Sequence, residues 1–231
     1  MNTQPTAVRP CGHVLHTTPD LYILVRYQPK KGQPDYCRVS CEYVDDEKKD
    51  KGSGMSVYLS PFDACIDAVF RSSPGEQYHT IPAYEFDPRE MVADNNGNLN
   101  FFLHCGWGAS DERLVTRKKG SLVSLYAIDT VKVPSAGRNA IDLNIDKKDL
   151  GRYDRMRQSA GLFAHADSHG RVLALDERQR MQHVARAIDA IPGKVAVGCE
   201  INQMAMYDFD AAQWHFISLE VFDQIMDDKE A

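Results

Sequence analysis

Asn100-Phe-Phe-Leu-His-Cys-Gly-Trp-Gly108 is the stretch from which the rest of the chain is read. Phe101, Phe102 and Leu103 form an apolar run, entered from the turn-like Asn95-Asn-Gly-Asn98. Such a run, bounded by turn residues, reads as a buried strand. The strand delivers His104, Cys105 and Trp107, with Gly106 and Gly108 between and after them. Glycine there permits a bend, or a close backbone approach that a side chain would block. A thiol, an imidazole and an indole N–H at the bent end of a strand make Cys105, His104 and Trp107 the candidate catalytic group. Plain core packing competes, because Cys is among the most buried residue types, and His and Trp often sit in cores. No family-specific nucleophile signature surrounds Cys105. On a regular strand His104 also points to the opposite face from Cys105.

Working outward, Leu21–Tyr27 and Tyr36–Val44 read as two strands of a hairpin with a long Pro- and Gly-containing loop. The charged run 45–54 reads as a solvated loop. Met55–Leu59 is a further strand. Ser60 caps the helix that follows, Pro61 suits its first position, and Asp63 in the first turn suits the helix dipole. Phe62, Cys65, Ile66, Val69 and Phe70 share one apolar face, and Ser72-Ser-Pro-Gly75 stops the helix near Arg71. The unit from Gly54 to Pro61 resembles, over fewer than twenty residues, the Gly-x-Tyr-x-Ser type strand before a helix in ADP-ribosyltransferase-like proteins. No accompanying glutamate or His-Tyr pair is placed, so the resemblance assigns no site residue. Tyr78–Phe86 reads as an edge strand because of Pro82. Residues 109–120 are polar with a basic end. There Arg113, Arg117, Lys118 and Lys119 are candidates for contact with an acidic partner or a phosphate, against a simply solvated face.

Ser121–Val133 reads as a long strand. Residues 134–160 carry few large apolar side chains, which makes them the candidate subdomain boundary, with a helix near 149–158. Leu162–Leu175 reads as two strands joined by a turn at Asp167-Ser-His-Gly170. The competing reading of the same residues is a metal site, since His165, Asp167 and His169 form H-x-D-x-H and all three are acceptable ligands. Asp176 and Gln179 form a capping box before a helix whose stripe is Met181, Val184, Ala185, Ile188 and Ile191. Pro192-Gly193 ends it. A strand at 194–199, a hairpin from 201 to 219, a short helix at 220–227 and an acidic tail expected to be disordered complete the chain. About nine strands and three or four helices, with hairpins in the majority, predict an α+β fold with a mainly antiparallel sheet. Residues 1–20 are expected to be an irregular lead-in, and 21–231 a single domain.

Composition bounds the function. Over 231 residues the net charge is -6, which disfavours a nucleic-acid or anionic-membrane coat. No apolar run reaches membrane-spanning length, and the N-terminus has no secretory pattern. Six cysteines at 11, 37, 41, 65, 105 and 199 make no compact framework, so reduced thiols in a cytoplasmic setting are expected. Cys37 and Cys41 have zinc-like spacing but no second ligand pair. Walker, Rossmann, G-x-S-x-G and H-E-x-x-H signatures are absent from the sequence. Two functional expectations follow. The first is an interaction or regulatory protein of immunity or effector-binding type, with a protein partner and no evident catalytic motif. The second is a transferase or hydrolase with Cys105 as nucleophile and a histidine as base, or a metal-dependent enzyme using His165, Asp167 and His169. The cofactor is left unknown.

Overall fold

A computed structural model describes residues 12–28, 31, 36–43 and 53–227. The first part of the lead-in, most of the turn 28–35, the charged run 45–52 and the acidic tail lie outside the described residues. The chain runs β1 (Leu15–Thr18), β2 (Tyr22–Tyr27), β3 (Cys37–Val39), β4 (Cys41–Tyr43), β5 (Ser53–Tyr58) and α1 (Pro61–Arg71). It continues through β6 (His79–Pro82), α2 (Arg89–Asp94), β7 (Asn98–Ser110), β8 (Arg113–Thr116), β9 (Ser124–Lys132) and β10 (Ile141–Asn144). Then come α3 (Lys147–Ser159), α4 (His165–Leu173), α5 (Glu177–Asp189), β11 (Lys194–Ala196), β12 (Gln203–Asp208), β13 (Gln213–Ser218) and α6 (Leu219–Asp227).

β7 is the spine of an 11-stranded sheet. Its first half lies parallel to β5, from Met55↔Phe101 to Val57↔Leu103, and antiparallel to β9 along its length. Its second half pairs with β12 at Trp107↔Ala205 and with β8 at Ala109↔Leu114. The change of partner is made at a bulge between His104 and Gly106. A Cβ on Gly106 would stand 2.8 Å from the Ala205 carbonyl, so β12 reaches this point because glycine is there. The bulge also resets the strand alternation, which brings His104 and Trp107 to one face, their rings 4.6 Å apart.

The sheet buries both faces. Ile23, Val25, Met55, Val57, Phe101 and Leu103 pack with Leu15, Ile141, Leu143 and Tyr153 on one side. On the other, Tyr22, Leu24 and Tyr58 meet Ala64 and Ala68 of α1. At the bent end Trp107 and Ala109 join Phe62, Ile66, Val184, Ala187 and Trp214. Burial on both faces explains why the β7 sequence is a continuous apolar run and not an alternating one.

The α+β content is as expected, but two features differ from the sequence reading. The sheet is mixed and not mainly antiparallel, because β5 runs parallel to β7, and β8 to β11. Between β5 and β7 the chain travels through α1, β6 and α2, a crossover that returns it in the same direction, as parallel pairing requires. Six α-helices stand among the described residues, against the three or four expected. One of the additional helices, α4, replaces the two strands expected over Leu162–Leu175. Its start is held from α3: the Phe163 carbonyl accepts from Arg157 Nε at 2.7 Å, and the His165 N–H donates to Asp154 Oδ1 at 2.7 Å. Within the stretch expected to be an irregular lead-in, Leu15–Thr18 forms β1, paired parallel with β10.

Candidate active site at the start of α1

The Ser60 hydroxyl accepts from the backbone N–H of Phe62 and Asp63, at 3.2 and 3.4 Å, and turns the chain from β5 into α1. The helix then presents two aspartates one turn apart, Asp63 and Asp67, on its buried face. Their surroundings differ completely.

Asp67 is fully buried, and its Oδ2 receives both the Tyr58 hydroxyl and Arg71 Nε, the latter at 2.7 Å. Arg71 also donates to Ser40 Oγ at 3.0 Å, Glu42 Oε1 at 2.7 Å and the Tyr126 hydroxyl at 3.2 Å. Arg117 approaches the other Glu42 oxygen at 3.1 Å. Burial alone would raise the Glu42 carboxyl, but the bonds from Arg71 and Arg117 outweigh it and hold it below its ordinary range. Arg71 thus gives all three of its nitrogens to four oxygens, drawn from α1, β4, β9 and the Ser40 bend. It is a clasp, with four of its five N–H donors committed.

Asp63 opens into an enclosed cleft of about 30 Å³, enough for one water or one small reacting group. Only 9% of the residue is exposed, and among the described residues no hydrogen bond or ion pair reaches its carboxylate. Burial pushes the carboxyl up to about 6, with the nearby charge of Arg157 offsetting only part of that rise. Arg157 is itself buried, steered by the Phe163 carbonyl and by Ser168 Oγ at 2.8 Å. His165 and His169, one helical turn apart on α4, line the same cleft. Asp154 Oδ1 lies 3.3 Å from His165 Nδ1, so an imidazole donating there keeps Nε2 as an acceptor. His169 Nδ1 is buried without a partner among the described residues, and burial, with His165 beside it, lowers the His169 pKa. An unpaired carboxyl, two imidazoles and an anchored guanidinium at one small cleft can hold, take or deliver a proton next to a charge.

The residues singled out in the sequence are distributed differently. Cys105, His104 and Trp107 are all buried in the core. Burial pushes the Cys105 thiol up to about 12, the environment of an inert thiol and not of a nucleophile. His104 sits between Tyr58 and Trp107, and burial first, then the charge of Arg71, lowers it to about 3. Cys105 packs instead with Met156, Met204 and Ile217, apart from the rings around His104. His165 and His169 do meet, but Asp167, two residues along a helix, is exposed on the other side of α4. Among the described residues no three potential ligands gather for a metal. The basic group does not converge either: Arg113 reaches toward Asp111, Arg117 is drawn to Glu42, and Lys118 and Lys119 project from the turn before Gly120. Asp63, Asp154, Arg157 and Ser168 went unrecognised. The local signal at Asp63 points to the helix dipole, and although Ser60 reads as the cap, nothing in sequence shows that the Asp63 carboxylate is buried beside Arg157. No protein-family model, no curated protein and no solved structure matches this chain, so the cleft is interpreted from its own chemistry.

Proposed function

We propose that the protein is an acid–base enzyme acting on a small polar molecule, with Asp63 as the proton-exchanging group. The observation that carries this reading is the Asp63 carboxyl, buried at the wall of the cleft without a hydrogen bond among the described residues and pushed up by burial to about 6. A group titrating close to neutrality both accepts and releases protons efficiently. His165, oriented by Asp154, supplies a second exchanging atom, and Arg157 supplies positive charge where negative charge develops. The cleft admits only the reacting end of a substrate, so the remainder lies against the mouth beside Phe163 and Asp210. The test is a fragment screen read by NMR on the imidazole signals of His165 and His169. Polar fragments should move these signals in the native protein and not in Asp63→Asn. Fragments that move neither imidazole, or move both equally in the variant, would overturn the reading.

A second reading, the interaction protein expected from composition, is favoured by a separate feature. The outer edge of β9 carries unpaired backbone groups among the described residues.

A further inference from the structure

Two groups of opposite charge face the Asp63 cleft, and the described residues pair neither. Arg157 donates to neutral oxygens, the Phe163 carbonyl at 2.7 Å and Ser168 Oγ at 2.8 Å, with the Tyr153 hydroxyl also beside it. Asp63 is close enough to be affected by that charge, yet no ion pair joins the two. One turn further along α1 the same two residue types do pair, with Arg71 Nε 2.7 Å from Asp67 Oδ2. The other carboxylates lining the cleft are committed. Asp208 accepts from the N–H of Asp210 and of Ala211, at 2.8 and 3.1 Å, and Asp210 pairs with Arg171 at 2.7 Å. A buried charge without a counter-charge is costly, so an acid and a base held apart in one cleft favour a ligand that answers both.

We infer that the cleft binds the head of a small amino acid, its carboxylate on Arg157 and its ammonium on Asp63. The proposal rests on the acid–base reading and names its substrate class. An amino-acid head joins the two charges through a single carbon, the compact form that a small cleft requires. The guanidinium fork suits a planar carboxylate. The ammonium has three donors, and beside Asp63 it finds His165 Nε2, left as an acceptor when Nδ1 donates to Asp154. The amino-acid side chain lies toward the mouth, where the Phe163 ring is exposed.

The test is an NMR titration of the full chain with glycine, acetate and methylamine, read on the imidazole signals of His165 and His169. At pH 7.5 each probe is fully charged, and Asp63, pushed up to about 6, is ionised. Glycine should bind at least about tenfold more tightly than either single-charge probe, because each of those answers one group and leaves the other. Below pH 6 Asp63 takes up a proton, and glycine should weaken by about tenfold per pH unit until it matches acetate. Arg157 and Tyr153 from α3 and His165 and His169 from α4 face the same cleft, and the imidazoles also gain charge on acidification. Asp63→Asn separates the two causes: glycine should bind the variant at least about tenfold more weakly at pH 7.5, with no further weakening through pH 6. Arg157→Gln should remove glycine and acetate binding alike, and the probe series on the native chain covers the case in which that variant fails to fold. Equal affinity for glycine and acetate, a pH dependence that persists in Asp63→Asn, or a native chain that binds none of the probes would overturn the proposal. If Asp63 then still titrates near pH 6, the acid–base reading stands without it; a midpoint at the ordinary aspartate value removes that reading as well.

Discussion

Asp63 and Asp67 stand one turn apart on the same face of α1, yet one is used and the other is left free. Asp67 accepts from Tyr58 and Arg71, inside a clasp that also takes in Ser40, Glu42 and Tyr126. Among the described residues Asp63 receives no hydrogen bond at its carboxylate, and it faces a cleft beside Arg157. Buried charge held by a committed partner ties elements together. A buried carboxyl without one has its charged form disfavoured, and titrates where chemistry near neutrality needs it. The difference lies in what the rest of the fold brings to each aspartate, and not in the aspartates themselves.

The largest expected effect breaks the clasp. Arg71→Met leaves Asp67 buried with no charged partner and Glu42 with Arg117 alone, and should cost about 3–5 kcal/mol in urea unfolding. The next has the opposite sign. The Asp63 carboxyl is raised from 3.8 to about 6 on folding, so between those values the folded chain binds the proton more tightly than the unfolded one. Stability contributed by this group is present at low pH and falls as pH rises through that window. Asp63→Asn should therefore stabilise the protein above pH 6, by at most about 3 kcal/mol, with the gain vanishing below about pH 4. A loss of stability in that variant at pH 7 would mean that Asp63 is a structural partner like Asp67. A smaller effect is expected from His169→Gln, within about 1 kcal/mol of native stability, because Nδ1 has no partner among the described residues and a glutamine amide can still donate to the Leu59 backbone. The smallest concerns the thiols: iodoacetamide on the native protein should label exposed Cys199 and leave Cys105 unmodified until unfolding.

Much of the framework was legible in local patterns. The β7 run, the β2–β3 hairpin, the Ser60 start of α1 and the Asp176–Gln179 capping box of α5 all carry their cause within a few residues of themselves. The mixed sheet was not, because the direction of β7 against β5 is fixed by a crossover of some forty residues. Nor was α4, whose start is held by Asp154 and Arg157 from the preceding helix. The clasp joins residues 42, 67, 71, 117 and 126, and the cleft joins 63, 154, 157, 165, 168 and 169. Neither has a spacing to read. In sequence His165, Asp167 and His169 alternate, and the helix keeps the histidines together while turning the aspartate out.

The most direct test of the account is a carboxyl-carbon NMR titration of the native protein, with the Asp63 signal assigned by its loss in Asp63→Asn. The account predicts a midpoint near pH 6 for Asp63. A midpoint at the ordinary aspartate value, near 4, would mean that the carboxylate is solvated or paired, and would contradict the claim that it is held ready for proton exchange.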